Sequence, residues 1–330
     1  MKANSPWNFR LLDALLNRTK SLEEMNLEEL HAAAASPASP VQEFVFAGGK
    51  IPLPRVIDQA ISDDDGPTSR GQRQGDRVRL YYPAEKTDLP LVLFLHGGGW
   101  VFGNLSTHDR LCRRLARDTG AIVLAVDYRR APFHKYPAAL EDCYRVLQWA
   151  VENATQLGAS ATDITIMGDS AGGNLAAALC LMARDHQGPY IARQVLLYPV
   201  TSGRLDQPSM AANAKAPVLT TDRMHRFIDC YARSDADVQQ PYFSPLLAPN
   251  LSNLPPALVV ACQSDPLYDQ SLRYAQRLKA AGGPVTLLDF ATVHGFMSFP
   301  MFCPSAWTAF REVARYIRDD IGNTVSGSDR

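Results

Sequence analysis

The sequence predicts an α/β fold built on a mostly parallel, eight-stranded sheet flanked by helices, and three observations carry that expectation. From Leu91 onward, short apolar runs alternate with stretches of helical periodicity, as successive βα units do. Glycine, or Gly-Gly-Pro, closes helical stretches before the next apolar run. At 330 residues and 46% hydrophobic side chains, the chain can bury a large core in one large domain or two smaller ones.

In chain order, Trp7 to Asn17 and Leu22 to Ala35 have helical patterning and end at a Pro-Ala-Ser-Pro break at 37–40. Arg77 to Tyr82 alternates like a strand, and Arg55 to Ile61 is placed to pair with it as a hairpin. The Asp-, Gly-, Ser- and Arg-rich stretch Ser62 to Gln74 between them is expected to be a mobile loop. Strands are then expected at Leu91 to Leu95, Ala121 to Val126, Ile164 to Met167, Val195 to Tyr198, Leu258 to Ala261 and Val285 to Phe290. The helices between them are Thr107 to Thr119, Ala138 to Gln156, Ala171 to Asp185, Pro266 to Ala281 and Ser305 to Ile321. Ser106 and Thr107 are candidate caps for the first of these and Gly120 its stop; Pro137 suits the first turn of the second, with Gly158 after its end. Residues 201–250 break the βα rhythm with a polar loop, an amphipathic helix over Asp222 to Ala232 and a Pro-rich return. With residues 1–50, they are placed to pack as a lid over the top of the sheet.

Composition excludes several function classes. Thirty-three basic and 34 acidic residues leave a net charge of −1, without the electrostatic footprint of a nucleic-acid or anionic-membrane binder. The N-terminus has no apolar core of signal-peptide length, and no stretch approaches the roughly 20 apolar residues of a membrane span. A soluble, cytoplasmic protein is expected. Cys112, Cys143, Cys180, Cys230, Cys262 and Cys303 are widely spaced, which fits a reducing compartment and small core residues. The seven histidines have no metal-ligand spacing, so no metal or other cofactor is called for.

The chemistry is concentrated in two segments. Gly168-Asp169-Ser170-Ala171-Gly172-Gly173 contains a Gly-x-Ser-x-Gly elbow, able to lift a serine hydroxyl out of a strand-to-helix turn. A lone match arises by chance in about one chain of this size in ten, and an N-cap serine is the plain alternative. Here the motif lies between an apolar strand and a helix, the context that makes an elbow. Side chains at Gly168 or Gly172 would collide where the two elements meet. His96-Gly97-Gly98-Gly99-Trp100 follows the strand from Leu91, and its N–H groups, with that of Ala171, are candidates for an oxyanion hole. The other use of such a run, cradling phosphate, lacks its Gly-Lys-Ser/Thr or Gly-x-Gly-x-x-Gly pattern. His96 itself reads as a structural hydrogen-bonding residue.

A serine hydroxyl needs a base, and the base an acid to orient it. With the nucleophile on this elbow, the acid is expected after a late strand and the histidine after the last. Asp265 lies just past Leu258 to Ala261, and His294 just past Phe290; the alternative for His294 is a solvated loop histidine. Asp269, one helical turn on, is the alternative acid, but Pro266 favours Asp265 as the last extended residue before the helix. Trp100, Phe102 and Tyr198 are candidates to narrow an acyl pocket, or core residues.

These residues resemble a known family. His96 to Trp100, Gly168 to Gly173, Asp265-Pro266-Leu267 and His294-Gly295-Phe296, in that order, are similar to the hormone-sensitive-lipase-like branch of the α/β-hydrolase fold, whose members are carboxylesterases and short-chain lipases. The likeness covers about residues 50–320 and extends to Tyr128-Arg129-Arg130-Ala131-Pro132 and Tyr136-Pro137-Ala138-Ala139. Gly103-Asn104-Leu105-Ser106-Thr107-His108-Asp109-Arg110 looks particularly like bacterial acetyl esterases. The chain departs from the family at Phe133, where Glu is common, and at Gln270, where an acidic residue is common.

The resemblance implies Ser170 as nucleophile, Asp265 and His294 as its partners, Gly97, Gly98, Gly99 and Ala171 around the oxyanion, and no metal. It implies cap helices over 1–50, hydrolase core over 51–200, a cap insertion over 201–250 and core again over 251–330. The expected activity is hydrolysis of short acyl esters by a monomer or homodimer that needs neither nucleic acid nor membrane. The reading from another class is a hydrolase-fold protein that binds a ligand without turning it over, which a broken triad would favour; every triad position here is filled.

Overall fold

The computed structural model describes residues 24–36, 51–61 and 77–319. The expected helix at Trp7 to Asn17 and the expected mobile loop Ser62 to Gln74 lie outside the described residues. Helix α1, Leu27–Ala35, opens with a capping box: Asn26 Oδ1 accepts from the Glu29 N–H, and Glu29 returns a bond to the Asn26 N–H. Strands β1 (Arg55–Ala60) and β2 (Arg77–Tyr82) form the expected antiparallel pair.

The βα series follows as β3 (Leu89–Leu95), α2 (Asp109–Thr119), β4 (Ile122–Asp127), α3 (Ala138–Glu152), the single turn α4 (Ala154–Leu157), β5 (Ala159–Asp169), α5 (Ala171–Asp185) and β6 (Arg193–Leu197). After an insertion come β7 (Ala257–Ser264), α9 (Tyr268–Ala280), β8 (Val285–Val293) and α10 (Ser305–Arg318). The sheet has eight strands in the order β1-β2-β4-β3-β5-β6-β7-β8, antiparallel only at the β1-β2-β4 end. From β3 the chain runs outward to β4 and then crosses back to β5, so a crevice opens at the C-terminal ends of β3 and β5.

Both faces of the sheet are covered, which is why its central strands are apolar throughout rather than alternating. Strand β3 sends Leu91, Leu93 and Leu95 into one core and Val92 and Phe94 into the other. The first core is closed by α3, α5 and α9 through Cys143, Leu179 and Tyr274; the second by α2 and α10 through Leu115 and Val313. All six cysteines are buried and unpaired. No helix among the described residues is long and apolar enough to cross a membrane.

Strand β5 runs from Ala159 to Asp169, well beyond the expected Ile164 to Met167, and three helix boundaries differ from expectation for a local reason. Helix α2 starts after His108, because Asn104 Oδ1 accepts from the N–H groups of both Ser106 and Thr107 and holds those residues in a turn instead of at a cap. Helix α3 stops at Asn153, whose backbone and side-chain amides both donate to the Trp149 carbonyl. Pro266 belongs to the loop before α9, which begins at Tyr268.

The insertion between β6 and β7 carries α6 (Pro208–Ala212), α7 (Thr221–Tyr231), the short α8 (Asp235–Val238) and a 3-10 turn at Pro245–Leu247. Thr220 caps α7 by accepting from the Arg223 N–H. Met224, Phe227, Ile228 and Tyr231 form its buried face at helical spacing. Tyr231 stacks on Trp100 at 4.5 Å, with Phe243 and Tyr136 closing the cluster. The insertion is therefore bolted to the loop after β3 by aromatic packing.

Candidate active site

Strand β5 ends at Asp169 and α5 begins at Ala171, so Ser170 must reverse the chain alone. It does so at φ 57°, ψ −118°, a conformation L residues rarely adopt, while its N–H donates to Leu197 O at 2.9 Å. The turn is possible because strand and helix approach without side chains between them. A Cβ on Gly172 would overlap the Leu95 carbonyl, and one on Gly168 the Gly172 carbonyl. Ser170 stands at the N-cap position of α5 without capping it. Its hydroxyl is instead 2.8 Å from His294 Nε2.

His294 follows β8 and Asp265 follows β7, adjacent strands whose C-terminal ends pair Ser264 with Val293. His294 Nδ1 lies 2.6 Å from Asp265 Oδ2, and the other carboxylate oxygen accepts from the Leu267 N–H at 2.9 Å. A carboxylate only accepts, so Nδ1 carries the proton and Nε2 is left to accept from the serine. Asp265 and His294 are both buried. Asp269 is elsewhere: its carboxylate accepts the Ser209 N–H at 2.7 Å. The edge of the Tyr198 ring abuts His294, with centroids 5.0 Å apart. Tyr198 is itself a buried residue held at φ 37°.

The glycine loop after β3 faces the elbow. The N–H groups of Gly98, Gly99 and Ala171 have no protein acceptor among the described residues, the last being a first-turn helix donor. Gly97 departs from the expected donor set: its N–H donates to Asp169 Oδ1 at 2.8 Å. Gly99 sits at φ 62° with the Phe227 ring of α7 directly over it, where a methyl would overlap that ring. Phe102 meets Phe227 edge-on. Trp100 is fully buried in the aromatic stack and is a core residue rather than a pocket wall.

Behind the loop lies a polar network that sequence reasoning did not find. Asp169 is buried and takes His108 Nε2 at 3.5 Å besides the Gly97 N–H. Burial pushes its carboxyl up, but the His108 ring and the Gly97 bond outweigh that and hold it below the usual value. His96 stacks on Tyr128 at 4.2 Å, its Nδ1 lies 2.9 Å from Gly97 O, and the Tyr128 hydroxyl donates to the His96 carbonyl at 2.7 Å. Burial first, then the neighbouring His108 ring, lower the His96 imidazole to about 3. His96 is therefore a neutral structural residue and no second base. His108 lacks metal-ligand spacing, and its neighbours in the sequence carry no signal for the contact with Asp169.

Comparison with known proteins gives one consistent likeness. A family model described as alpha/beta hydrolase fold matches residues 92–298. The chain is 41% identical to the esterase LipI of Mycobacterium tuberculosis over 77% of its own length and 79% of that protein's. It is 40% identical to the ethyl acetate hydrolase of Pseudomonas putida over 81% and 85% of the two chains. Among solved structures, the hyperthermophilic esterase of the archaeon Pyrobaculum calidifontis superposes with a TM-score of 0.83 at 35% identity, covering 95% of this chain and 97% of that one.

Proposed function

The chain belongs to the hormone-sensitive-lipase-like α/β-hydrolase family and is a carboxylic ester hydrolase, and on that premise we propose that it is a serine esterase working on short acyl esters through an acyl-enzyme. The observation that carries this reading is the unbroken chain of hydrogen bonds from Ser170 Oγ through His294 to Asp265, at 2.8 and 2.6 Å.

In this mechanism Ser170 Oγ attacks the ester carbonyl while His294 Nε2 takes its proton. Negative charge gathers on the former carbonyl oxygen, where the Gly98, Gly99 and Ala171 N–H groups stabilise it; donors fixed before the reaction need no reorganisation during it. The tetrahedral intermediate collapses, His294 protonates the departing alkoxide, and the acyl group remains on Ser170. A water, deprotonated by the same nitrogen, then adds to the acyl carbon, the bond from that carbon to Ser170 Oγ breaks to release the carboxylic acid, and His294 gives its proton to the departing Oγ. Asp265 keeps the imidazole in its Nδ1–H tautomer and balances the imidazolium charge.

Short acyl groups are favoured by the position of Phe227, which roofs Gly99 beside the oxyanion donors. The likeness to an ethyl acetate hydrolase supports the same preference. On this reading residues 201–250 serve with 1–50 as the cap that shapes the acyl pocket, over a core formed by 51–200 and 251–330.

The test is Ser170→Ala together with a small organophosphate. The variant is expected to keep less than roughly a thousandth of wild-type hydrolysis, and the wild type to take up one phosphoryl group per chain on Ser170. A higher residual rate, or absence of the label, overturns the covalent mechanism. Initial rates on p-nitrophenyl esters of increasing acyl length test the substrate class, and a preference for long chains would overturn it.

A further inference from the structure

Helix α9 follows the Asp265 loop, and two turns of it grip the β6–β7 insertion. Gln270 is fully buried and uses its whole amide: Oε1 accepts from the N–H groups of Thr201 and Ser202 at 2.9 and 3.0 Å, and Nε2 donates to the carbonyls of Ser202 and Arg204 and to Gln207 Oε1, at 3.0, 3.3 and 3.2 Å. Seven residues on, Arg277 donates to the carbonyls of Leu246 and Ala248. The insertion also reaches back to the loop itself. Ser209 Oγ donates to Pro266 O at 2.6 Å and accepts from the Asp269 N–H, and Asn213 Nδ2 donates to Asp265 O at 3.0 Å and to Gln263 O at 3.2 Å.

Apart from the Arg277 pair, these bonds converge on one short piece of chain, Gln263 to Gln270, which contains Asp265. A loop of that length stitched on both sides by the insertion cannot move independently of it. We propose that Gln270 is a positioning residue that seats residues 201–213 against the Asp265 loop, so that the alignment of Asp265 with His294 depends on how the insertion is held. The proposal rests on Asp265 being the triad acid. An amide suits the position because its oxygen can accept from two N–H groups on one side while its two N–H donors are shared among three oxygens on the other.

Gln270→Leu keeps the bulk and removes both the acceptor and the donors, leaving the Thr201 and Ser202 N–H groups and the Ser202 carbonyl without their partner. Gln270→Glu, which restores the acidic residue common at this position in the family, keeps an acceptor for the two N–H groups. The experiment measures kcat and KM for p-nitrophenyl acetate for wild type, Gln270→Leu, Gln270→Glu and Ser209→Ala, with thermal unfolding followed for each.

The expected result is a Gln270→Leu kcat at least about tenfold below wild type, with KM within about threefold and the protein folded at assay temperature, and a Gln270→Glu kcat recovered toward wild type. Ser209→Ala is expected to lower kcat several-fold. A Gln270→Leu kcat within about twofold of wild type, a loss carried wholly by KM, a loss that only tracks unfolding, or a Ser209→Ala rate equal to wild type overturns the proposal. Organophosphate labelling separates the two readings: label on Ser170 with an unchanged Gln270→Leu kcat defeats the positioning role alone, and no label defeats the covalent mechanism.

Discussion

Replacing Asp169 by Asn isolates the electrostatic support of the oxyanion loop. The substitution keeps an oxygen for the Gly97 N–H and removes the charge that strengthens that 2.8 Å bond and faces His108 at 3.5 Å. A hydrogen bond to a charged group contributes roughly 1.5–3 kcal/mol, against roughly 0.5–1.5 for a neutral one. The difference of about 1–2 kcal/mol corresponds to roughly a 5- to 30-fold change in rate if it is felt only in the transition state. If the Gly98 and Gly99 donors act on the developing oxyanion as proposed, kcat is expected to fall by that factor and KM to stay within about twofold. Asp169 is held below the ordinary carboxylate range, so its charge is present at neutral pH and is lost only as pH falls through that lowered value. The wild-type to variant ratio should therefore be constant from pH 6 to 9. Steady-state rates on p-nitrophenyl acetate check both points. A kcat within twofold of wild type, or a loss carried wholly by KM, would refute the reasoning.

Asp265→Asn should lower kcat by roughly 10⁴, as loss of the orienting carboxylate does in such triads, whereas Asp269→Asn should cost less than about tenfold; equal losses would reassign the acid. Gly172→Ala is expected to yield no folded protein, since its methyl would meet the Leu95 backbone, and a native circular dichroism spectrum with normal activity would contradict that. His96 binds a proton at about 3 when folded and near 6.5 when unfolded, so the unfolded state gains protons first as pH falls and stability is lost from about pH 6.5 downward. At pH 4.5 this amounts to about 2–3 kcal/mol, and His96→Gln should show a correspondingly shallower fall of Tm between pH 7 and 4.5. Phe227→Ala opens the roof over Gly99 and should raise kcat/KM for hexanoate relative to acetate esters several-fold, by roughly 1–3 kcal/mol per methylene accommodated at most; an unchanged ratio would remove Phe227 from the acyl pocket.

The sheet and the Ser170, His294 and Asp265 positions were legible in the sequence for different physical reasons. Strands buried on both faces are apolar runs that stand out against amphipathic helices, so β3 to β8 could be placed within a few residues. The elbow is legible because steric crowding admits only glycine at 168 and 172, leaving a local signature. The histidine and acid are found by their order after the last strands. What stayed hidden depends on contacts between distant segments. Nothing near His108 announces that it faces Asp169, 61 positions on. Gln270 stood out only as an amide in place of an acid, and its five side-chain hydrogen bonds reach four residues more than sixty positions earlier in the chain. The cap expected of Ser106 and Thr107 failed because Asn104, two residues before, took their N–H groups first.

Among the described residues strand β8 has a neighbour on one side only, and from Thr286 to Ala291 much of it is exposed, yet the imidazole is carried at its end. An edge strand exchanges its amides and frays at lower free energy than the interior of a sheet. On the proposed mechanism the proton shuttle thus rides on an exposed edge strand, while the nucleophile is locked in the centre. Under gentle heating or mild denaturant, hydrolysis should therefore fail before the secondary structure does, with Ser170 still in place and its base unhitched.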